Sequence, residues 1–483
     1  MKFTNLFKKL ESIKEKKYFF PFEKLTFSGQ EIFYLVNNLC KIYDKKIDKK
    51  NIDKVAIIYE NSIEYVALSF YLILKKKILV PINPLLTSIE TEQIINHSKA
   101  KYIFSAQKFS NKIKNYENKS IFTYGKENYD LIQKNKKKFS INFKKKISKK
   151  NIILLLYTSG STGTPKGALL TLGNILSNAE SIGEHHKIKK NTNTLVLMPM
   201  FHNNGYIISF FSTFLRQGNL IVVPANFVIL KFWNLINKYK INYTSLMPSV
   251  LAMISRFGGK SKNESLKYIA CGGQKLPRLL LKKFEKNHNT KIIEHYGLTE
   301  TTSVSTIMPL VKRNLESVGR VIKGTKIKML NPKNFKLKNE GYGEICISGP
   351  NLFNGYYNNK KLNKEKKIYN YLRTGDYGFK DKKNNLFFKG RKDFLIIKNG
   401  ENIYPAEIES KIYEIDEVLE CAVVGLPHKI FGEQIYGFVK LKKINSKKIN
   451  EIHLHLIKSL AKFKIPEKIF FLGKNINLKE LPK

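Results

Sequence analysis

The run Tyr157-Thr158-Ser159-Gly160-Ser161-Thr162-Gly163-Thr164-Pro165-Lys166-Gly167 sets five hydroxyl side chains among three glycines and one lysine, directly after the apolar stretch 152–156. Glycine lets backbone N–H groups approach an anion closely, and the hydroxyls add donors. Lysine adds a point charge suited to phosphate. These residue types in this order describe a cradle for a polyphosphate. The spacing does not fit G-x-x-x-x-G-K-[ST], so this is not a Walker A loop. A flexible Ser/Gly linker would share the composition, but the strand before the run and the Pro-Lys-Gly at its end favour the cradle.

Such a loop must be held by regular elements. Residues 55–59 read as a strand and 65–74 as an apolar helix. Residues 152–156, 194–198 and 220–223 read as short buried strands, and 227–239 as a helix between strands. The alternation predicts α/β layering with substantial parallel sheet. The lysine-rich segment 134–150 reads as a surface connection.

A second unit starts near Asp393. Pro405 opens a helix that places Ile408, Ile412 and Ile415 on one face. Strands follow at 418–424 and 434–441. A helix then carries Ile452, Leu456 and Leu460, and a last strand covers 469–472. The expected organisation is a large N-terminal α/β domain of several subdomains, residues 1–392, and a small mobile α+β domain, residues 393–483. A chain of 483 residues is too long for one ordinary core. No internal repeat of solenoid period is present.

The formal net charge of +48 raises nucleic acid or anionic lipid as partners. Only seven of the 86 basic residues are arginine, and lysine, asparagine and isoleucine are all abundant, as AT-rich codons would give. A reader of bases and phosphates would favour arginine. The charge therefore reads as a solvated surface, with no specific nucleic-acid partner. Cys40, Cys271, Cys346 and Cys421 are too scattered for a metal pair or a disulfide framework. No uninterrupted apolar run reaches the roughly 18 residues of a membrane span, and the first residues lack a signal-type block. The cytoplasm is the expected location.

The phosphate run resembles the signature of the adenylate-forming superfamily, which includes acyl-CoA synthetases, peptide-synthetase adenylation domains and luciferases. Other segments match it in the family's order. They are residues 78–94 (ILVPINPLLTSIETEQI), Tyr296-Gly297-Leu298-Thr299-Glu300, Tyr371-Leu372-Arg373-Thr374-Gly375-Asp376, Gly390-Arg391-Lys392-Asp393 and residues 399–409 (NGENIYPAEIE). The similarity covers nearly the whole chain.

The resemblance implies ATP, Mg²⁺ and coenzyme A as cofactors, and it assigns roles. Thr158, Ser159, Gly160, Ser161, Thr162, Gly163, Thr164 and Lys166 hold the leaving pyrophosphate. Tyr296 offers a flat face to the purine. Thr299 donates to the α-phosphate, and Glu300 is a hard oxygen ligand for Mg²⁺. Asp376 accepts from two ribose hydroxyls, and Arg391 reaches ribose or phosphate. Asp393 is the hinge, and Gly400 lies where the pantetheine arm enters. Gly273, in Cys271-Gly272-Gly273-Gln274-Lys275, turns backbone to the nucleotide. Gln274 stands where many relatives have a small residue, which leaves the polarity of the pocket open. His202, in Phe201-His202-Asn203-Asn204-Gly205, is a wall of the acyl pocket that swings with the acyl group; a satisfied structural histidine is the alternative. Trp233 reads as core packing.

One family feature is missing. Relatives carry a lysine a few residues beyond a Leu-Pro-Lys/Arg element, where it bridges carboxylate and α-phosphate. This sequence reads Glu480-Leu481-Pro482-Lys483 and stops, and Lys474 lies on the wrong side of the element. No adenylation lysine is therefore assigned: either the sequence ends before the gene does, the favoured reading, or the protein has lost the lysine. The expected activity is AMP-forming acid–thiol ligation: activation of a carboxylic acid, with a fatty acid favoured, and acyl transfer to coenzyme A. Transfer to a carrier-protein phosphopantetheine is the first rival. A catalytically weak nucleotide-binding protein is the second.

Overall fold

The computed structural model describes residues 4–47, 53–119, 121–122, 147–158, 166–224, 229–259, 263–274, 276–398, 401–428, 432–442 and 446–472. Two sheets make the bulk of the large part. In one, the strands Tyr102–Ser105, Lys54–Ile58, Ile78–Pro81 and Ile152–Thr158 run parallel in that spatial order, and Lys166–Thr171 closes the edge antiparallel. In the other, Lys16–Phe20, Asn219–Val222, Asn193–Val196, Tyr243–Leu246, Tyr268–Gly272 and Lys291–Tyr296 form the parallel core.

Alternation along these strands explains why both sheets are covered on two faces. Val55 and Ile57 point into the core between the sheets, while Ala56 and Ile58 pack on the outer helix Ser88–Ser98. Val196, Leu220 and Val222 likewise face inward, and Leu195, Ile221 and Val223 outward. Strands buried on both faces carry continuous apolar runs. The helix Ile63–Leu74 is apolar on nearly every side, and it fills the space between the sheets together with Leu172–His185. Thr171 caps the second of these helices with a reciprocal bond to Asn174.

A third, antiparallel sheet contains Lys326–Leu330, Gly341–Ser348, Tyr371–Lys380 and Leu386–Arg391. A fourth contains Ile396–Lys398, Glu401–Ile403, Val418–His428, Gly432–Leu441 and Lys468–Leu472. Pro405 does open a helix, Pro405–Ile412, and Ile408, Ile412, Ile415, Ile452 and Leu456 form the core of this smaller unit. The α/β class and the large-plus-small architecture agree with the sequence reading.

One local reading needs adjusting, and one element was not anticipated. The expected helix 227–239 is a 3₁₀ turn, Ile229–Lys231, leading into Phe232–Lys238. The segment after His202 is a π-helix, Asn204–Phe211, which periodicity did not suggest. Most of the lysine-rich stretch 134–150 lies outside the described residues. Trp233 is buried and stacked on His288, as core packing requires. No helix among the described residues is long and apolar enough to cross a membrane.

Candidate active site

Thr158, Gly272 and Tyr296 stand at the carboxyl ends of parallel strands, where open α/β sheets leave a crevice. Thr158 ends one strand and Lys166 begins the next; the two are cross-strand partners, and Thr158 Oγ1 donates to the Lys166 carbonyl at 3.4 Å. The loop between them, 159–165, lies outside the described residues, and so does Gly400. Gly272 ends a strand of the other large sheet. Gly273 follows with φ +87°, and no atom lies within 4 Å of where a Cβ would sit. That conformation favours glycine and leaves the backbone open to the crevice.

Tyr296 ends the strand Lys291–Tyr296, and its hydroxyl donates to Asp376 Oδ2 at 2.7 Å. Asp376 lies directly opposite Arg391 in the third sheet, and Arg391 Nε donates to Asp376 Oδ1 at 3.0 Å. Thus one buried carboxylate joins the expected purine platform to the expected ribose–phosphate arginine. Burial raises the Asp376 pKa; Arg391 and Tyr296 pull it back, and the charge of Glu300 adds to the rise. Tyr296 is only 9% exposed, with its ring tilted against Phe388.

The turn after Tyr296 is backbone-limited. A Cβ on Gly297 would stand 2.0 Å from the Ser303 carbonyl oxygen. Thr299–Thr301 form one 3₁₀ turn. Thr302 then adopts φ 69°, ψ −54°, and Ser303 N donates to Thr301 O at 2.8 Å, which together define a strained γ-turn. Such a β-branched residue costs about 1–3 kcal/mol and persists only where its surroundings fix it. They do so here. Thr302 Oγ1 donates to Asn351 O at 2.6 Å, Asn351 Nδ2 reaches Thr301 O and Val304 O at 3.3 Å, and Asn178 grips Val304 at both N and O. Asn203 Nδ2 donates to Thr302 O at 3.2 Å, so the segment bearing His202 is tied to the same turn.

His202 is exposed, yet protein around its ring lowers its pKa, as in a concave wall. It stands beside Phe201 with ring centroids 4.8 Å apart. His295 lies under Gly272, where a Cβ would meet its ring at 2.4 Å. Burial lowers the His295 pKa to about 4. Neutral His295 is thus the folded form, while the unfolded side chain titrates near its usual value of about 6.5. The unfolded state binds more protons below that value, so stability is full above pH ~6.5 and falls as pH drops toward 4. The loss from this group is roughly 2 kcal/mol at pH 5 and about 3 kcal/mol in the limit. Urea unfolding at pH 7 and pH 5 should show His295→Gln losing less stability on acidification than the parent by that amount.

The AMP-binding enzyme family profile matches residues 17–357, and the AMP-binding enzyme C-terminal domain profile matches residues 407–481. The chain belongs to the AMP-binding enzyme family. It is 30% identical over 456 residues to the oxalate–CoA ligase of Saccharomyces cerevisiae, covering 87% of this chain and 83% of that one. It is 30% identical over 452 residues to the 2-succinylbenzoate–CoA ligase of Oceanobacillus iheyensis, covering 91% and 90%. The solved o-succinylbenzoate CoA synthetase of Bacillus subtilis, in complex with its acyl-adenylate intermediate, superposes with a TM-score of 0.83 at 26% identity, over 97% of this chain and 94% of that one. Membership confirms the adenylate-forming resemblance and the fold.

Within this AMP-binding enzyme, Glu300 has the chemistry of a magnesium ligand. Tyr356 donates to Glu300 Oε1 at 2.7 Å, and Oε2 accepts from no described residue. No group of three His, Cys, Asp or Glu side chains is placed to hold a metal among the described residues. A single open carboxylate suits Mg²⁺ shared with phosphate oxygens rather than a protein-only cage. Sequence reasoning missed Tyr356, Asn351 and Asn178. The punctuated run Gly349-Pro350-Asn351 to Gly355-Tyr356-Tyr357 was the available signal.

Asp393 lies in the 3₁₀ turn Lys392–Phe394, between the third and fourth sheets. The ring of Tyr404 packs on Gly390, and its hydroxyl meets that of Tyr342, so the small unit touches the third sheet beside this turn.

Proposed function

We propose that the chain condenses a carboxylic acid with ATP to an acyl-adenylate and then transfers the acyl group to coenzyme A. The observation that carries the reading is the joining of Tyr296, Asp376 and Arg391 through one carboxylate that feels the charge of Glu300, whose partner Tyr356 pairs with Ala168 on the strand Lys166–Thr171. In the first step a substrate carboxylate oxygen attacks the α-phosphorus. The bond from that phosphorus to the bridging oxygen breaks, and pyrophosphate leaves. Asp376 accepts hydrogen bonds from the ribose, Arg391 offers its outer guanidinium nitrogens, and Thr299 donates to the α-phosphate. Bound Mg²⁺, held by Glu300, supplies charge neutralisation on the phosphates. Positioning and charge account for most of such catalysis. In the second step the thiol attacks the acyl carbonyl, its proton is lost to solvent, and AMP departs. Division of the chain at 392/393, with Asp393 as hinge, lets the small unit turn between the steps. The cytoplasm remains the proposed location, and coenzyme A is preferred to a carrier protein as acceptor.

The sequence favoured a fatty acid; the structure supports a shorter, polar acid better. The rim after Phe201 is His202-Asn203-Asn204, and Gln274 beside Gly273 is exposed. Asn204 Oδ1 and His295 Nε2 are buried with no hydrogen-bond partner among the described residues. A polar acid tail would satisfy such atoms, whereas an alkyl tail would leave them unpaired. Behind the rim, Tyr65, Tyr206, Phe210, Phe211 and Phe214 are buried and pack ring on ring, so an alkyl chain finds filled core. Relatives are named for oxalate, sulfoacetate and 2-succinylbenzoate, each bearing a second anionic group.

Acid-dependent ATP–pyrophosphate exchange tests this with a panel of dicarboxylic, sulfo, aryl and fatty acids. Exchange is expected with short acids carrying a second polar group. Preference for long fatty acids would restore the fatty-acid reading. ATP binding without exchange on any acid would favour the nucleotide-binding rival.

A further inference from the structure

Glu300 is not anchored by its own turn. The hydrogen bond to its carboxylate comes from Tyr356, far along the chain in the segment 349–357. That segment is stitched to two places at once. Toward the phosphate loop, Leu169 N donates to Gly355 O, Asn354 N to Leu169 O, and Tyr357 N to Gly167 O, which fixes Tyr356 beside Ala168 on the strand leaving the loop. Toward the metal turn, Phe353 N donates to Glu300 O at 2.9 Å, and Asn351 holds Thr301 and Thr302. Asn363 locks the Tyr356 backbone at both N and O, at 2.7 and 2.9 Å. The ring meets Phe353 edge-on at 4.9 Å and is 7% exposed. The phenol is therefore held by its backbone and its ring packing with its hydroxyl on Glu300.

We infer that Tyr356 is a positioning residue: its hydroxyl holds Glu300 Oε1 and leaves Oε2 open to the divalent cation that ATP brings, and it thereby sets the affinity for that cation. The inference rests on the reading of Glu300 as metal ligand. Groups that orient a metal ligand typically change metal affinity about 10–100-fold when removed.

The test is Mn²⁺ binding to the full chain with the non-cleavable α,β-methylene analogue of ATP, followed by electron paramagnetic resonance. Tyr356→Phe keeps the ring and removes only the donor. It is expected to weaken Mn²⁺ binding about 10-fold. Metal-free nucleotide binding and the melting temperature should stay unchanged, which a general packing defect would not allow. Glu300→Gln should weaken Mn²⁺ at least as much, and the double variant should match Glu300→Gln alone. Unchanged Mn²⁺ binding in Tyr356→Phe with weakened binding in Glu300→Gln would overturn the inference, as would additive losses. Unchanged binding in Glu300→Gln would overturn the metal-ligand reading itself, and the inference with it. If Tyr356→Phe lowers the melting temperature, Asn363→Ala serves as the second variant: it frees the same segment but keeps the hydroxyl. It should then weaken Mn²⁺ less than Tyr356→Phe; an equal or greater loss would overturn the inference.

Discussion

Asp376→Asn is expected to lower acid-dependent ATP–pyrophosphate exchange by about 10²–10⁴-fold while leaving the fold intact. Hydrogen bonds to a charged group contribute about 1.5–3 kcal/mol each, and the carboxylate offers two such bonds to the ribose. The amide keeps one acceptor, so Tyr296 can still donate to it, and Arg391 has a half-exposed side chain that solvent can stabilise. Loss of folding should therefore be small. The burial that raises the Asp376 pKa adds a pH signature: ATP binding should weaken on acidification starting at higher pH than for an ordinary aspartate. Exchange rates with and without saturating ATP, beside a thermal melt, separate a nucleotide defect from a folding one. A variant that exchanges at the parental rate would remove Asp376 from the nucleotide site.

Glu300→Gln should cost the first half-reaction on the order of 10²–10³-fold, comparable to loss of one preorganised electrostatic group. Thioester formation from a supplied acyl-adenylate should fall far less, because no pyrophosphate charge then needs neutralising. The amide still accepts from Tyr356, so the turn at Thr302 keeps its support from Asn351 and Asn178. Raising Mg²⁺ should recover part of the exchange. Equal losses in both half-reactions would point instead to a collapsed turn.

Both of these carboxylates stood out in the sequence, Glu300 after Tyr296-Gly297-Leu298-Thr299 and Asp376 after Thr374-Gly375. Their pairings did not. Arg391 faces Asp376 because the register of a hairpin sets them opposite each other, and that register belongs to the paired strands rather than to either segment alone. Tyr356 meets Glu300 only because a segment without regular structure lies along the strand Lys166–Thr171. Asn178 sits on a helix, where it reads as an unremarkable polar residue until Val304 is brought to it.

The sequence by itself determined the layered α/β class, the buried strands and the small unit's core, because apolar periodicity reports burial directly. It also determined the phosphate-type loop and the order of the motifs, because those properties belong to contiguous residues. Only the tertiary structure decided which side chains share the site and how the Thr302 turn is held. It alone showed the aromatic block beyond His202 and the π-helix Asn204–Phe211. The reason is physical. The pairings of Tyr356 with Glu300, Tyr296 with Asp376 and Asn178 with Val304 join segments distant in the chain, and no local propensity encodes the free energy of such contacts.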